Sequence, residues 1–371
     1  MIERKIHIIS ITKIVVFIII FLIICLVLSY FTKPNFYEVG IVSGFYGEKK
    51  NSLDVVYIGG SACFVYWEPL KAYEDYGIIS YDFASNSMQA ELYSYMIKEI
   101  LQNQNPKLII IDARAFQYRD KDLPPSDVAY RNLLTGMPLN INKIRFVEKY
   151  VRGTLKEKNA LSYYFDFIKF HSAEDKYSVV DGIRFLLNKY KHDNKGFEFI
   201  TKYEKQKFVD YETTDEMKGS KETINILDDL LEYLQTTNHD YLFVVSPYIE
   251  QKNHKKNYNY ISKKIEKAGY KFIDANDYRD EMQIDYSKDF YNYGHVNIFG
   301  ADKYTDFLAK YIVDNYSMKD RRKDKRYKEW NKLLKKWNKN KENTKEAINR
   351  LIIQYEIEEQ IKNEKGDTYD E

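Results

Sequence analysis

Residues 54–64 read DVVYIGGSACF. Four consecutive apolar residues, three of them β-branched, run into two glycines and a serine. A strand this apolar, without alternation, suits a site buried on both faces of a sheet. The glycines then allow a tight turn, and Ser61 sits where the next helix begins. Two further segments repeat the theme. IISYDFASNS (78–87) is a strand breaking into small polar residues, and PKLIIIDARAF (106–116) is a third, uniformly apolar strand. Between them lie WEPLKAYEDYG (67–77), stopped by Gly77, and AELYSYMIKEILQNQ (90–104), with Leu92, Tyr95, Met96 and Ile100 at helical spacing. Strand–helix–strand–helix–strand in so short a span predicts right-handed crossovers and a parallel sheet.

The rhythm lapses from about residue 118 to 216, where stretches such as KNALSYYFDFIKF and GIRFLLNKY predict a helical insertion. It returns with the helix SKETINILDDLLEYLQTT, the strand DYLFVVSPY, the helix YNYISKKIEKAG and the strand YKFIDAND. A loop then feeds a C-terminal amphipathic helix within 291–316. The sum is an α/β chain with about five parallel strands and helices on both faces. Ligands in such sheets bind at the carboxyl ends of the strands. Three of those ends carry polar residues: Ser61, the stretch Ala84–Ser87, and the segment leading to His295.

Outside this domain, residues 1–35 combine a basic start (Arg4, Lys5, Lys13) with an apolar run from Ile14 to Phe31. That length just crosses a hydrocarbon core of about 30 Å, and the segment ends without a small-residue cleavage site. The excess of cations before the run puts the N-terminus in the cytoplasm and the rest of the chain outside. A linker joins this anchor to the first strand. The net charge of +2 and the lack of a basic-aromatic module argue against nucleic acid as a partner. Cys25 and Cys63 are too far separated in context to pair, and Cys63 reads as a small apolar residue or a second nucleophile. Residues 317–371 form a charged tail in which Tyr327, Trp330, Leu334 and Trp337 share one helical face. That face either docks on a membrane or partner or packs back onto the domain.

A nucleophilic serine needs a base, a group to orient the base, and donors for the oxyanion. Of six histidines, His295 alone lies in a glycine-flanked loop at the sheet edge that holds Ser61. No histidine, cysteine or carboxylate cluster has metal-ligand spacing, so neither a metal nor any other cofactor is expected.

Together, IGGSACF after the first strand, YDFASNSMQ after the second, PKLIIIDARAF, and the C-terminal YNYGHVNIFGADKYTDFL resemble the SGNH/GDSL hydrolase-like superfamily. The resemblance is to its membrane-anchored branch, which includes DltD-like and alginate-acetylation proteins. It covers about residues 52–116 and 240–316 and implies a flavodoxin-like three-layer domain over 36–316. It maps the nucleophile to Ser61 and the base to His295. Where the family carries an aspartate three residues before the histidine, this chain has Asn292; Asp289 stands three residues further back. Either could orient the imidazole. The family's oxyanion donors map to the Gly60 and Ala84 regions, and the third-block asparagine has no counterpart. Asn86 and Arg114 are the nearest candidates, and Asp112 reads as structural.

The resemblance implies an extracytoplasmic serine esterase or O-acyltransferase acting on acyl esters of a cell-envelope polysaccharide or teichoic-acid-like polymer. The departures from its motifs open a second reading. In that one the chain is a catalytically degenerate component that docks on a membrane-bound O-acyltransferase or an envelope-polymer assembly complex.

Overall fold

The computed structural model describes residues 2–117, 126–173 and 177–366. Its centre is a five-stranded parallel sheet: β1 (Val55–Gly59), β2 (Ser80–Ala84), β3 (Leu108–Asp112), β4 (Asp240–Val245) and β5 (Lys271–Asp274), in the order β2-β1-β3-β4-β5. Every residue of β1, β2 and β3 is buried, as their unbroken apolar runs predict. The chain turns one way from β1 to reach β2 and the other way to reach β3, so the sheet's switch point lies between β1 and β3. Both strand ends there open into one crevice.

Helices clothe both faces. α1 (Ile2–Phe31) and α2 (Tyr37–Tyr46) precede β1, and α3 (Ser61–Phe64) and α4 (Pro69–Tyr76) follow it. α5 (Tyr93–Asn103) leads into β3. Gly77 ends α4 with φ 73°, the left-handed conformation that glycine adopts without a Cβ penalty. Right-handed crossovers put α4 and α5 on opposite faces. The segment expected to be a linker holds α2 instead. Phe45 of this helix stacks on Phe83 of β2 at 4.2 Å between ring centroids, which makes it part of the core.

The insertion is helical only in its first part: α6 (Asp127–Leu134), α7 (Ile141–Phe146) running into a π-helical stretch (Val147–Thr154), α8 (Phe167–Phe170) and α9 (Val179–Leu186). Residues 118–125 and 174–176 of the expected insertion lie outside the described residues. From 199 to 219 the backbone forms no helix or strand, because charges interrupt every apolar spacing there. Glu99 of α5 ties the insertion to the sheet layer. Its carboxylate accepts hydrogen bonds from Tyr46 of α2 and from Asn140 and Asn142 at the start of α7.

α10 (Lys221–Gln235), capped by Ser220, packs near α5, and α11 (Lys252–Lys267) lies against β5. Residues 290–296 form a small antiparallel hairpin, β6 (Phe290–Asn292) and β7 (His295–Val296), where the sequence reading has a loop. α12 (Ile298–Asn315) packs beside α4, and its Tyr304 hydroxyl meets that of Tyr57 in β1 at 3.0 Å.

The tail folds back. α13 (Lys328–Gly366) crosses α4 and α12, burying Trp330 against Tyr73 and Trp337 between Phe197 and Phe199. Of the two readings of its aromatic face, the structure has the packed one. Lys341 of α13 bridges the buried Glu68 at 2.9 Å and also pairs with Asp302, which takes Lys345 at 2.7 Å. At the other end, Ile11–Phe31 of α1 is long and apolar enough to cross a membrane and stands largely free of the domain.

Candidate active site

Ser61 is the first residue of α3, delivered by the end of β1 into the crevice beside β3. Its Oγ lies 2.6 Å from Nε2 of His295. Nδ1 of the same ring lies 2.9 Å from Oδ1 of Asn292. The hairpin makes this second contact. Asn292 ends β6, His295 begins β7, and the Gly294 N–H between them donates to Asn292 Oδ1 at 2.8 Å. That backbone donor fixes Oδ1 as the acceptor face of the amide. The imidazole must therefore donate through Nδ1–H, which leaves the Nε2 lone pair facing the serine hydroxyl. An asparagine presenting its NH₂ would select the opposite tautomer and disable the base.

The environment of His295 works against its charged form. Burial, helped by the Arg114 guanidinium, lowers its pKa to about 3. The ring is thus neutral and able to accept a proton at any physiological pH. The fall from an ordinary 6.5 corresponds to about 5 kcal/mol against the imidazolium. A carboxylate partner would offset part of that cost, and Asn292 carries no charge.

Asp289, the other candidate for orienting the base, is placed elsewhere. It is fully buried, with Oδ2 accepting from the Asp285 N–H at 2.7 Å and from Lys303 at 2.6 Å. These contacts pin the loop before the hairpin and leave the orienting position to Asn292.

A cleft of about 200 Å³ opens beside Ser61, lined by Gly60, Ala62, Asn86, Ser87, Met88, Asp112, Arg114, Ala115 and His295. Asn86 and Arg114 therefore line the same cleft as Ser61. Ala84 is not: it is fully buried at the end of β2, paired with Gly59. Gly60 borders the cleft, but its N–H is engaged by the Asp112 carboxylate. The Ser61 and Ala62 N–H groups open α3, and N–H groups in a helix's first turn have no intrahelical acceptor. They are candidate donors to an oxyanion formed on a Ser61-bound carbon. Asp112 also accepts from the Arg114 N–H at 3.0 Å, so its role is to shape the turn after β3. Close approach matters here, since a Cβ on Gly59 would fall 2.5 Å from Asp112 Cβ.

Cys63 faces away from the cleft, fully buried with Sγ 3.6 Å from Asp82, and burial pushes its thiol pKa well up. It is a core residue, not a second nucleophile.

Two residues of the site, Tyr66 and Tyr291, escaped the sequence reading, and Ser87 was singled out there only as the end of the polar stretch after β2. Tyr66 donates to the Gly294 carbonyl at 2.9 Å, and its oxygen accepts from the Val296 N–H and from Arg114, both at 3.3 Å. It thereby braces the hairpin against α3. Tyr291 stacks on the His295 ring, 5.1 Å between centroids and 14° from parallel. Ser87 borders the cleft with φ 54°, a left-handed backbone unusual outside glycine and asparagine and often found at functional sites. Tyr291, in the same short run as Asn292 and His295, had a positional signal, as did Ser87 in the polar stretch after β2; Tyr66 had none.

Among the described residues, no group of three His, Cys, Asp or Glu side chains is arranged to hold a metal ion. Comparison with protein-family models, with curated proteins and with solved structures returns no match to this chain.

Proposed function

We propose that this protein is a membrane-anchored serine esterase or O-acyltransferase of the SGNH type, acting on acyl esters of a cell-envelope glycan. The observation that carries the reading is the unbroken relay Ser61 Oγ–His295–Asn292 at a sheet switch point. The strand order β2-β1-β3-β4-β5 supports a flavodoxin-like reading of the domain.

In the first half-reaction, Ser61 Oγ attacks the ester carbonyl and its proton passes to His295 Nε2. The Ser61 and Ala62 N–H groups, with Arg114 and Asn86 nearby, face the developing oxyanion. Collapse breaks the bond to the departing alcohol, which takes the proton from Nε2 and leaves an acyl-serine. In the second, water or a sugar hydroxyl gives its proton to Nε2 and attacks the acyl carbon; collapse breaks the bond from that carbon to Ser61 Oγ, which takes the proton back from Nε2. The Arg114 charge works in two directions, stabilising the oxyanion while opposing the imidazolium. The anchor, with Arg4, Lys5 and Lys13 before the apolar span, supports an extracytoplasmic domain held where envelope polymers are assembled.

The test is chemical. Wild-type protein exposed to a serine-reactive fluorophosphonate should label at Ser61, and Ser61→Ala and His295→Ala should both lose the label while staying folded. A folded wild type that neither labels nor hydrolyses simple acetyl esters would remove the enzyme reading. The uncharged Asn292 beside a histidine so strongly held neutral favours the second reading, a binding component of an O-acyltransferase complex, and that result would leave it standing.

A further inference from the structure

We propose that α9 lies in the interfacial layer of the bilayer that α1 enters, with its outer face buried among lipid acyl chains. This rests on the reading of α1 as a membrane anchor.

α9 packs on the last turn of α1. At Gly182, a Cβ would stand 3.0 Å from Phe31 Cα and 3.2 Å from the Tyr30 carbonyl oxygen, so the two backbones are in contact. Lys33 sits between the same elements, its Nζ 5.0 Å from the Tyr30 ring centroid and 5.4 Å from that of Phe185. Gly182 and Phe185 are the buried face of α9.

The opposite face is apolar too. At 100° per residue, Leu186, Val179, Ile183, Leu187 and Val180 fall within an arc of about 120°. They are between 37% (Leu186) and 66% (Val179) exposed. A helix on a water-facing surface carries polar residues there. The ionic groups of α9 keep to its flank, where Asp181 pairs with Arg184 at 3.0 Å. Exposed Lys189 follows the helix end.

Position identifies what covers this face. α9 touches Tyr30, Phe31 and Lys33, the residues at which α1 leaves the hydrocarbon, so its outer face stands at that depth. Phe36 and Tyr37, 41% and 44% exposed, add aromatic rings just beyond the same exit, as interfacial belts do. The lipid surface is continuous with the one α1 already enters, and no second partner is needed to bury the stripe. Tyr37 also packs on Phe64 of α3, with ring centroids 5.7 Å apart. The helix that begins with Ser61 is thereby tied to the point of membrane exit.

The test uses the full chain reconstituted in phosphatidylcholine–phosphatidylglycerol vesicles. On a background with Cys25 and Cys63 replaced by alanine, single cysteines at Ile183, Val180, Ile19 or the exposed Lys310 carry an environment-sensitive fluorophore. The probes at Ile183 and Val180 should shift to the blue, lose intensity to nitroxide-bearing lipid and resist iodide, while the probe at Lys310 does the reverse. If the Ile19 probe is quenched by lipid but those at Ile183 and Val180 behave like Lys310, α9 is solvated and the inference falls while the anchor stands. Probes at Ile183 and Val180 shielded from both quenchers would mean that protein covers the face, which also overturns it. If Ile19 itself escapes lipid quenching, the anchor reading falls and takes the inference with it.

Discussion

Replacing Asn292 by aspartate should restore basicity to His295. The new carboxylate would stand about 4 Å from the centre of the imidazolium, and at an effective dielectric constant of about 20 the attraction is about 4 kcal/mol. That corresponds to about 3 pH units, enough to lift His295 from about 3 to about 6. Arg114 contributes to the depression of His295 and lies near Gly294 beside Asn292, so the buried carboxylate would have a second cation at hand. Titration of histidine-labelled protein by NMR reads the change directly. Stability gives an independent reading. Because the folded pKa of His295 lies below its unfolded value, its contribution is complete above pH 6.5 and is lost as pH falls towards 3. Asn292→Asp should narrow that loss, so its melting temperature should fall less than the wild type's between pH 7 and 4. If Ser61 is a nucleophile, its fluorophosphonate labelling at pH 7 should speed up by at least about tenfold and at most about 10³-fold, the full 4 kcal/mol. A His295 pKa still near 3 in the variant would refute the reasoning, because it would mean that charge at Nδ1 is not what the site lacks.

Other changes test the supports of the site. Tyr66→Phe removes the hydroxyl linking Gly294, Val296 and Arg114, and should slow labelling of Ser61 while leaving the melting temperature within a few degrees of wild type; an unchanged rate would mean the hairpin holds itself. Gly59→Ala drives a methyl into Asp112 between β1 and β3 and should cost about 1–3 kcal/mol in denaturant unfolding. Trp337→Ala should cost about 3–5 kcal/mol by the same measure, and a cost below 1 would show that the tail is not part of the core. Burial and the neighbouring Asp274 push Glu250 up to about 10. A raised carboxyl pKa stabilises below the unfolded value and loses that contribution as pH climbs to the folded one. Glu250→Gln should therefore match wild type near pH 4 and exceed it in stability at pH 9, as read by thermal melts.

The strands were legible because β1, β3 and β4 are apolar without interruption, and Gly77, Ser220 and the Gly59–Gly60 turn mark where elements stop or start. Ser61 and His295 followed from topology, since a parallel sheet carries both to one edge. The choice between Asn292 and Asp289 did not. It depends on a hairpin of five described ladder residues whose register is set by the Gly294 turn, and on Lys303 reaching Asp289 from α12. Both are contacts between segments that local spacing does not encode. Tyr66 is likewise invisible in sequence, one more tyrosine among 35. The helix expected over 199–219 does not form, although aromatic residues there do pack, Phe199 on Trp337 of α13 and Phe208 on Tyr286 before the hairpin.

The Glu68–Lys341 bridge bears on the order in which the molecule can be assembled. Glu68 belongs to the turn that connects α3 to α4, only seven residues past Ser61, and its buried carboxyl is met by Lys341, 273 residues further along the chain. Burial drives the Glu68 carboxyl towards its neutral form, and Lys341 opposes that shift. The native setting of the helix that begins with Ser61 is therefore completed only after α13 has been synthesised. A polypeptide ending before α13 would keep its apolar N-terminal helix and its sheet sequence yet lack the latch.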